Sequence, residues 1–84
     1  MGQITLFNNG RVMNTKIFAQ RLREAREEKG YSQKTLGMRV GLSDKSISMY
    51  EKGTVYPPVG NLLKIAKELD KSISYFLEDQ PEVY

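Results

Sequence analysis

The 84-residue chain contains no cysteine and no histidine. Without cysteine no disulfide can staple it, and thiolate metal sites are excluded. Without histidine it lacks the usual general base and the commonest neutral metal ligand. No apolar run approaches the roughly 18 residues of a membrane span, and no signal-peptide pattern opens the chain. These absences lead to the expectation of a soluble, cytoplasmic, non-catalytic protein with no cofactor. Length adds a further bound, because one core needs about 50 residues or more, so this is a single small domain. Such a chain must be all-helical and tightly packed, or gain stability from a partner subunit.

What charge there is lies unevenly. Glu78, Asp79 and Glu82 fall in the last seven residues, so residues 1–77 carry 13 cationic side chains against 7 acidic ones. A domain at +6 with an acidic tail suits a polyanion partner, and equally a solvated lysine-rich surface.

Residues 1–15 stand apart. Two short apolar-rich runs, Ile4–Phe7 and Arg11–Met13, flank Asn8-Asn9-Gly10, a hairpin turn signal. An isolated hairpin is marginal in water, so this segment is expected to be an arm or a short β-hairpin that depends on packing. From Thr15 a helical period takes over. In "TKIFAQRLREAREEKG", Phe18, Leu22 and Ala25 share a face, with Thr15 as a possible cap and Gly30 as the stop. "YSQKTLGMRVG" offers Ser32 as cap, Leu36 and Val40 as the apolar face, and Gly41 as stop. "SDKSISMYEKG" starts at Ser43, turns Ile47 and Tyr50 inward and stops at Gly53. Pro58 suits the first turn of a fourth helix that is expected to bury Val59, Leu62, Leu63, Ala66 and Leu69. Ser72 caps a last short helix with Ile73, Phe76 and Leu77 inward. The fold class is all-α: an arm over residues 1–15, a five-helix domain over 16–78 and an acidic tail over 79–84.

Two helices of about two turns joined by "GLS" fit the helix-turn-helix pattern, whose second helix can lie in the major groove of DNA. Residues 18–77 resemble the lambda repressor/Cro-type helix-turn-helix family, also called the xenobiotic response element family. The residues that carry the resemblance are "LREAREEKGYSQKTL", "VGLSDKSISMYEKG", Pro58 and "LLKIAKELDKSISYFL", in the family's order and spacing. The resemblance implies a compact lambda repressor-like domain, a transcription regulator, here a repressor. It would bind double-stranded DNA as a homodimer on a palindromic operator, with the third helix (residues 44–52) in the major groove. It further implies that Gln33 donates to a phosphate, helped by the helix N-terminus, and that Arg26 and Glu51 form a structural ion pair.

Base readout is then expected from the outward face of the third helix: Asp44, Lys45, Ser48 and Met49. Lys45 suits guanine O6/N7, Asp44 suits cytosine N4, and Met49 suits a thymine methyl group. A carboxylate in the first turn is also stabilised by the helix dipole alone, so Asp44 has two readings. Phosphate contacts are expected from Gln33, Ser43, Ser46, Lys52, Gly53 and Thr54. Tyr56 would add a hydroxyl or simply pack; of Lys34 and Arg39, at least one is read as a solvated charge.

The sequence departs from the family at Gly37, where a small alanine is usual, and at Lys71, where an apolar residue is usual. The extra fifteen N-terminal residues would be a minor-groove arm using Arg11 or a strand pairing between copies. Ile73 and Phe76 are candidates for the contact between copies, or for the core. The alternative function class is an antitoxin-type interaction module, in which the same fold holds a protein partner.

Overall fold

Capping chemistry sets where each helix begins. The computed structural model describes residues 14–77, which form α1 (Thr15–Glu28), α2 (Gln33–Val40), α3 (Asp44–Glu51), α4 (Val59–Leu69) and α5 (Ile73–Leu77). The hairpin, Arg11 and the acidic tail therefore lie outside the described residues. Asn14, not Thr15, caps α1: its Oδ1 accepts from the N–H groups of Lys16 (2.7 Å) and Ile17 (3.3 Å). Thr15 is already helical, and its hydroxyl instead donates to the Gly53 carbonyl at 2.7 Å, tying the start of α1 to the end of α3. Ser32 and Ser43 cap α2 and α3, accepting from Thr35 N–H at 2.9 Å and Ser46 N–H at 3.1 Å. Each such cap is worth about 1 kcal/mol, which matters for helices of eight residues that are unstable alone. Lys52, expected inside the third helix, is the C-cap that follows it.

The α2–α3 turn is tight enough to dictate composition. Gly41 takes φ +75°, the left-handed geometry that ends α2. Leu42 N–H donates back to the Gly37 carbonyl at 2.7 Å. A Cβ on residue 37 would lie 2.6 Å from the Leu42 carbonyl oxygen, a backbone atom that could not move alone. The cost in helix propensity, about 1 kcal/mol, is the condition for this close approach.

Phe18, Leu22 and Ala25 of α1 meet Leu36 and Val40 of α2, Ile47 and Tyr50 of α3, and Phe76 of α5 in one cluster. Fully burying a leucine, isoleucine or phenylalanine contributes about 1.5–3 kcal/mol, so this cluster is the main cohesive term. From α4 the core takes Leu62, Ile65, Ala66 and Leu69. The expectation differs here: Val59 and Leu63 are exposed, at 72% and 53%, and Ile65 is buried in their stead. The apolar positions of α4 cover a wider arc than its neighbours can hide. Phe76 is fully buried, with its ring centroid 6.0 Å from that of Phe18, which removes it as a contact between copies. Tyr56 packs its ring against Phe18 at 5.6 Å, and its hydroxyl is buried without a partner among the described residues.

Polar ties hold α5 in place. Arg21 donates to the Tyr75 carbonyl at 2.7 Å and lies over the Tyr75 ring. Lys71 pairs with Glu28 at 3.1 Å and sits 4.9 Å from the centre of that same ring. The lysine thus sets its ammonium over an aromatic face while the same charge pairs with Glu28. Elsewhere Glu68 of α4 accepts from Arg39 of α2 and, at 3.0 Å, from the Tyr31 hydroxyl. Those bonds pull the Glu68 carboxyl below its ordinary range and push the Tyr31 hydroxyl above its own.

Candidate nucleic-acid interface

Glu51, at the end of α3, organises the residues around it. Its side chain is 3% exposed and receives Arg26 through two bonds, Nε to Oε2 at 2.6 Å and Nη2 to Oε1 at 3.0 Å. This fork matches the carboxylate plane and makes a strong, directional pair. Arg26 Nη1 also donates to the Tyr31 carbonyl at 2.7 Å. Donation to Glu51 raises the Arg26 pKa above its already high value, with burial opposing. Gln33, the first residue of α2, donates Nε2 to Glu51 Oε1 at 3.0 Å. One carboxylate therefore joins α1, α2 and α3. The first backbone N–H groups of a helix have no intrahelical partner, so α2 offers donors and partial positive charge where Gln33 is held.

The outward face of α3 is the opposite case. Asp44 and Lys45 are exposed, Ser48 is half-buried and Met49 is 44% exposed. No side-chain hydrogen bond or ion pair ties any of the four to another described residue. Their inward neighbours Ile47 and Tyr50 fix the helix in the core. A rigid helix therefore presents a donor, an acceptor, a hydroxyl and an apolar thioether, the groups needed to read base edges.

The phosphate candidates divide. Ser43 and Ser46 hydroxyls lie 3.1 Å apart and bond to each other, next to the cap of α3. Lys52 and Thr54 are exposed. Gly53 differs from the expectation: it is buried, at φ +83°, with its N–H toward the Tyr50 carbonyl and its own carbonyl held by Thr15. Its role in this structure is to shape the bend, so the donors left there belong to Lys52 and Thr54. Arg39, bound to Glu68, is committed elsewhere.

Two cations of α1, Arg23 and Lys16, adjoin this surface. With Gln20 and Glu27 they form a stripe along α1, and they line an open basin of about 560 Å³ that also takes in Lys52 and Gly53. Their signal in the sequence is the spacing 16, 20, 23, 27 beside the inward Ala19 and Arg26.

Comparison with known proteins bears on the family and the fold. Residues 22–76 match the helix-turn-helix family. The uncharacterized HTH-type transcriptional regulator y4dL of Sinorhizobium fredii is 42% identical over 59 residues, which is 70% of this chain and 30% of that protein. Repressor protein C2 of Salmonella phage P22 is 36% identical over 79% of this chain and 31% of its own length. The chain thus spans about a third of these curated relatives. The P22 c2 repressor, solved in complex with the synthetic operator 9T, superposes with a TM-score of 0.70 at 34% identity, covering 73% of this chain and 92% of that one. The restriction-modification controller protein C.AhdI of Aeromonas hydrophila gives a TM-score of 0.69 at 36% identity, covering 75% and 96%.

Proposed function

The chain belongs to the helix-turn-helix family, and on that premise we propose that it is a sequence-specific DNA-binding transcription regulator, acting as a repressor. The observation that carries this reading is the outward face of α3, uncommitted among the described residues and fixed beside Gln33 by the Arg26–Glu51 fork. The helix enters the major groove, and Asp44, Lys45, Ser48 and Met49 meet base edges. Gln33 and the start of α2 hold a backbone phosphate, with Lys52 and Thr54 at the far end of α3 and the Ser43/Ser46 pair at its start. Asp44 weakens attraction for the polyanion but accepts from cytosine N4 and repels acceptor edges, giving up affinity for discrimination.

A single α3 of eight residues reads a short site, so the protein binds as a homodimer on a two-fold symmetric operator, with half-sites about one helical turn apart. Val59 and Leu63, one turn apart and exposed on α4, form an apolar pair suited to contact between copies.

Selection from random duplexes tests the reading. The expected product is a two-fold symmetric motif, and Lys45→Ala changes the preferred bases at a cost of about 1–3 kcal/mol. Binding without sequence preference that vanishes at moderate salt would leave only phosphate attraction and reject the specific-regulator reading.

A further inference from the structure

We propose that Arg23, on α1, is a backbone-phosphate ligand of this interface, and that Glu51 positions it there. The inference rests on the DNA-binding reading and adds a contact from an element outside the α2–α3 pair.

The accounting of donors singles it out. Arg26 has each of its three nitrogens engaged and is nearly closed to solvent: Nε and Nη2 donate to Glu51, Nη1 donates to the Tyr31 carbonyl, and the side chain is 11% exposed. Arg23 is one turn earlier on the same side of α1, and its side chain is 58% exposed. Its Nε lies 3.9 Å from Glu51 Oε1, the oxygen that already accepts from Arg26 and Gln33. At that distance the guanidinium is attracted but not hydrogen-bonded to Glu51, and no described residue accepts from its five N–H groups. Glu51 thereby holds a neutral amide donor and a free guanidinium side by side, a pairing suited to a phosphodiester oxygen. Lys52 shares the basin and adds charge; Glu24 and Glu27 line it as well. Glu24 is engaged by Gln20 at 3.1 Å and Glu27 lies 4.0 Å from Arg26, so the phosphate approaches along the Arg23–Lys52 side.

The test is the salt dependence of binding to a selected operator, measured for the wild type, Arg23→Gln and Arg23→Lys. Arg23→Gln is expected to make the slope of log K against log salt shallower by about 0.9, the loss of one phosphate contact, and to weaken all duplexes alike. Arg23→Lys keeps the slope, and the melting temperatures of both variants stay at the wild-type value. An unchanged slope in Arg23→Gln overturns the inference, with or without a fall in melting temperature. A wild type that binds no duplex strikes the DNA-binding reading itself, which the two variants do not address.

Discussion

Glu51 and Glu68 each hold an arginine and one further donor, yet their surroundings differ. The Glu51–Arg26 pair is sealed, with side chains 3% and 11% exposed; the Glu68–Arg39 pair is open, at 22% and 52%. A sealed pair cannot be exchanged for water when one member is lost, whereas an open pair is screened and easily resolvated. The difference teaches where the molecule is rigid. The strong carboxylate lies at the end of α3 and fixes α1, α2 and α3 together; the weak one joins α2 to α4 away from it.

Removing the sealed carboxylate gives the largest expected effect. Glu51→Ala leaves Arg26 buried and unpaired and should lower unfolding free energy by about 3–5 kcal/mol, read by urea denaturation. A loss below about 1 kcal/mol would place the two carboxylates in one class. Next come paired double-mutant cycles. The Arg26/Glu51 coupling should exceed that of Arg39/Glu68, and only the second should fade in 1 M salt, where screening acts over about 3 Å. Equal salt sensitivity would break the contrast.

Acid titration sharpens it further. Glu68 is held below its ordinary value by the bond from Arg39 first and from Tyr31 second, against the effect of burial. Its contribution is therefore complete above the unfolded value, about 4.3, and is lost as pH falls through the lower folded value. Wild type should lose more stability than Glu68→Gln across that acid range, by less than the Glu51→Ala effect; parallel curves would count against it. The smallest effect is at the alkaline end. Tyr31, raised mainly by its bond to Glu68, gives stability present below about pH 10 and lost as pH rises through its folded value. Its ionisation, followed by absorbance, should occur above that of an ordinary tyrosine and return toward it in Glu68→Gln.

Much of this was legible in the chain because local chemistry decides it. Ser32, Ser43 and Ser72 cap helices within three residues of themselves, and Gly41 terminates α2 through its own backbone. Tertiary choices were less readable. Apolar periodicity marked α4 as amphipathic, but only the placement of its neighbours decided that Ile65 goes in while Val59 and Leu63 stay out. Asn14 and Thr15 are both able to cap; Thr15 was drawn away by a carbonyl 38 residues later. The outward face of α3 follows from spacing alone. That Gln33 leans on Glu51, 18 residues on, and that Gly53 turns its N–H inward depends on packing that a one-dimensional pattern does not encode.

The close approach at Gly37 bears on engineering. On the proposed function, α3 is a natural candidate for exchange with the helices of relatives on a common scaffold, and the turn is the obvious place to cut. Yet the carbonyl of Leu42 occupies the space where residue 37 would carry a methyl group. A donor segment spliced in at residue 43 would inherit a turn shaped for glycine, while the reverse graft would force this turn onto an alanine. The unit of exchange is therefore the stretch from Gln33 through Gly53, carried across with its own glycine and joined outside both ends of the motif.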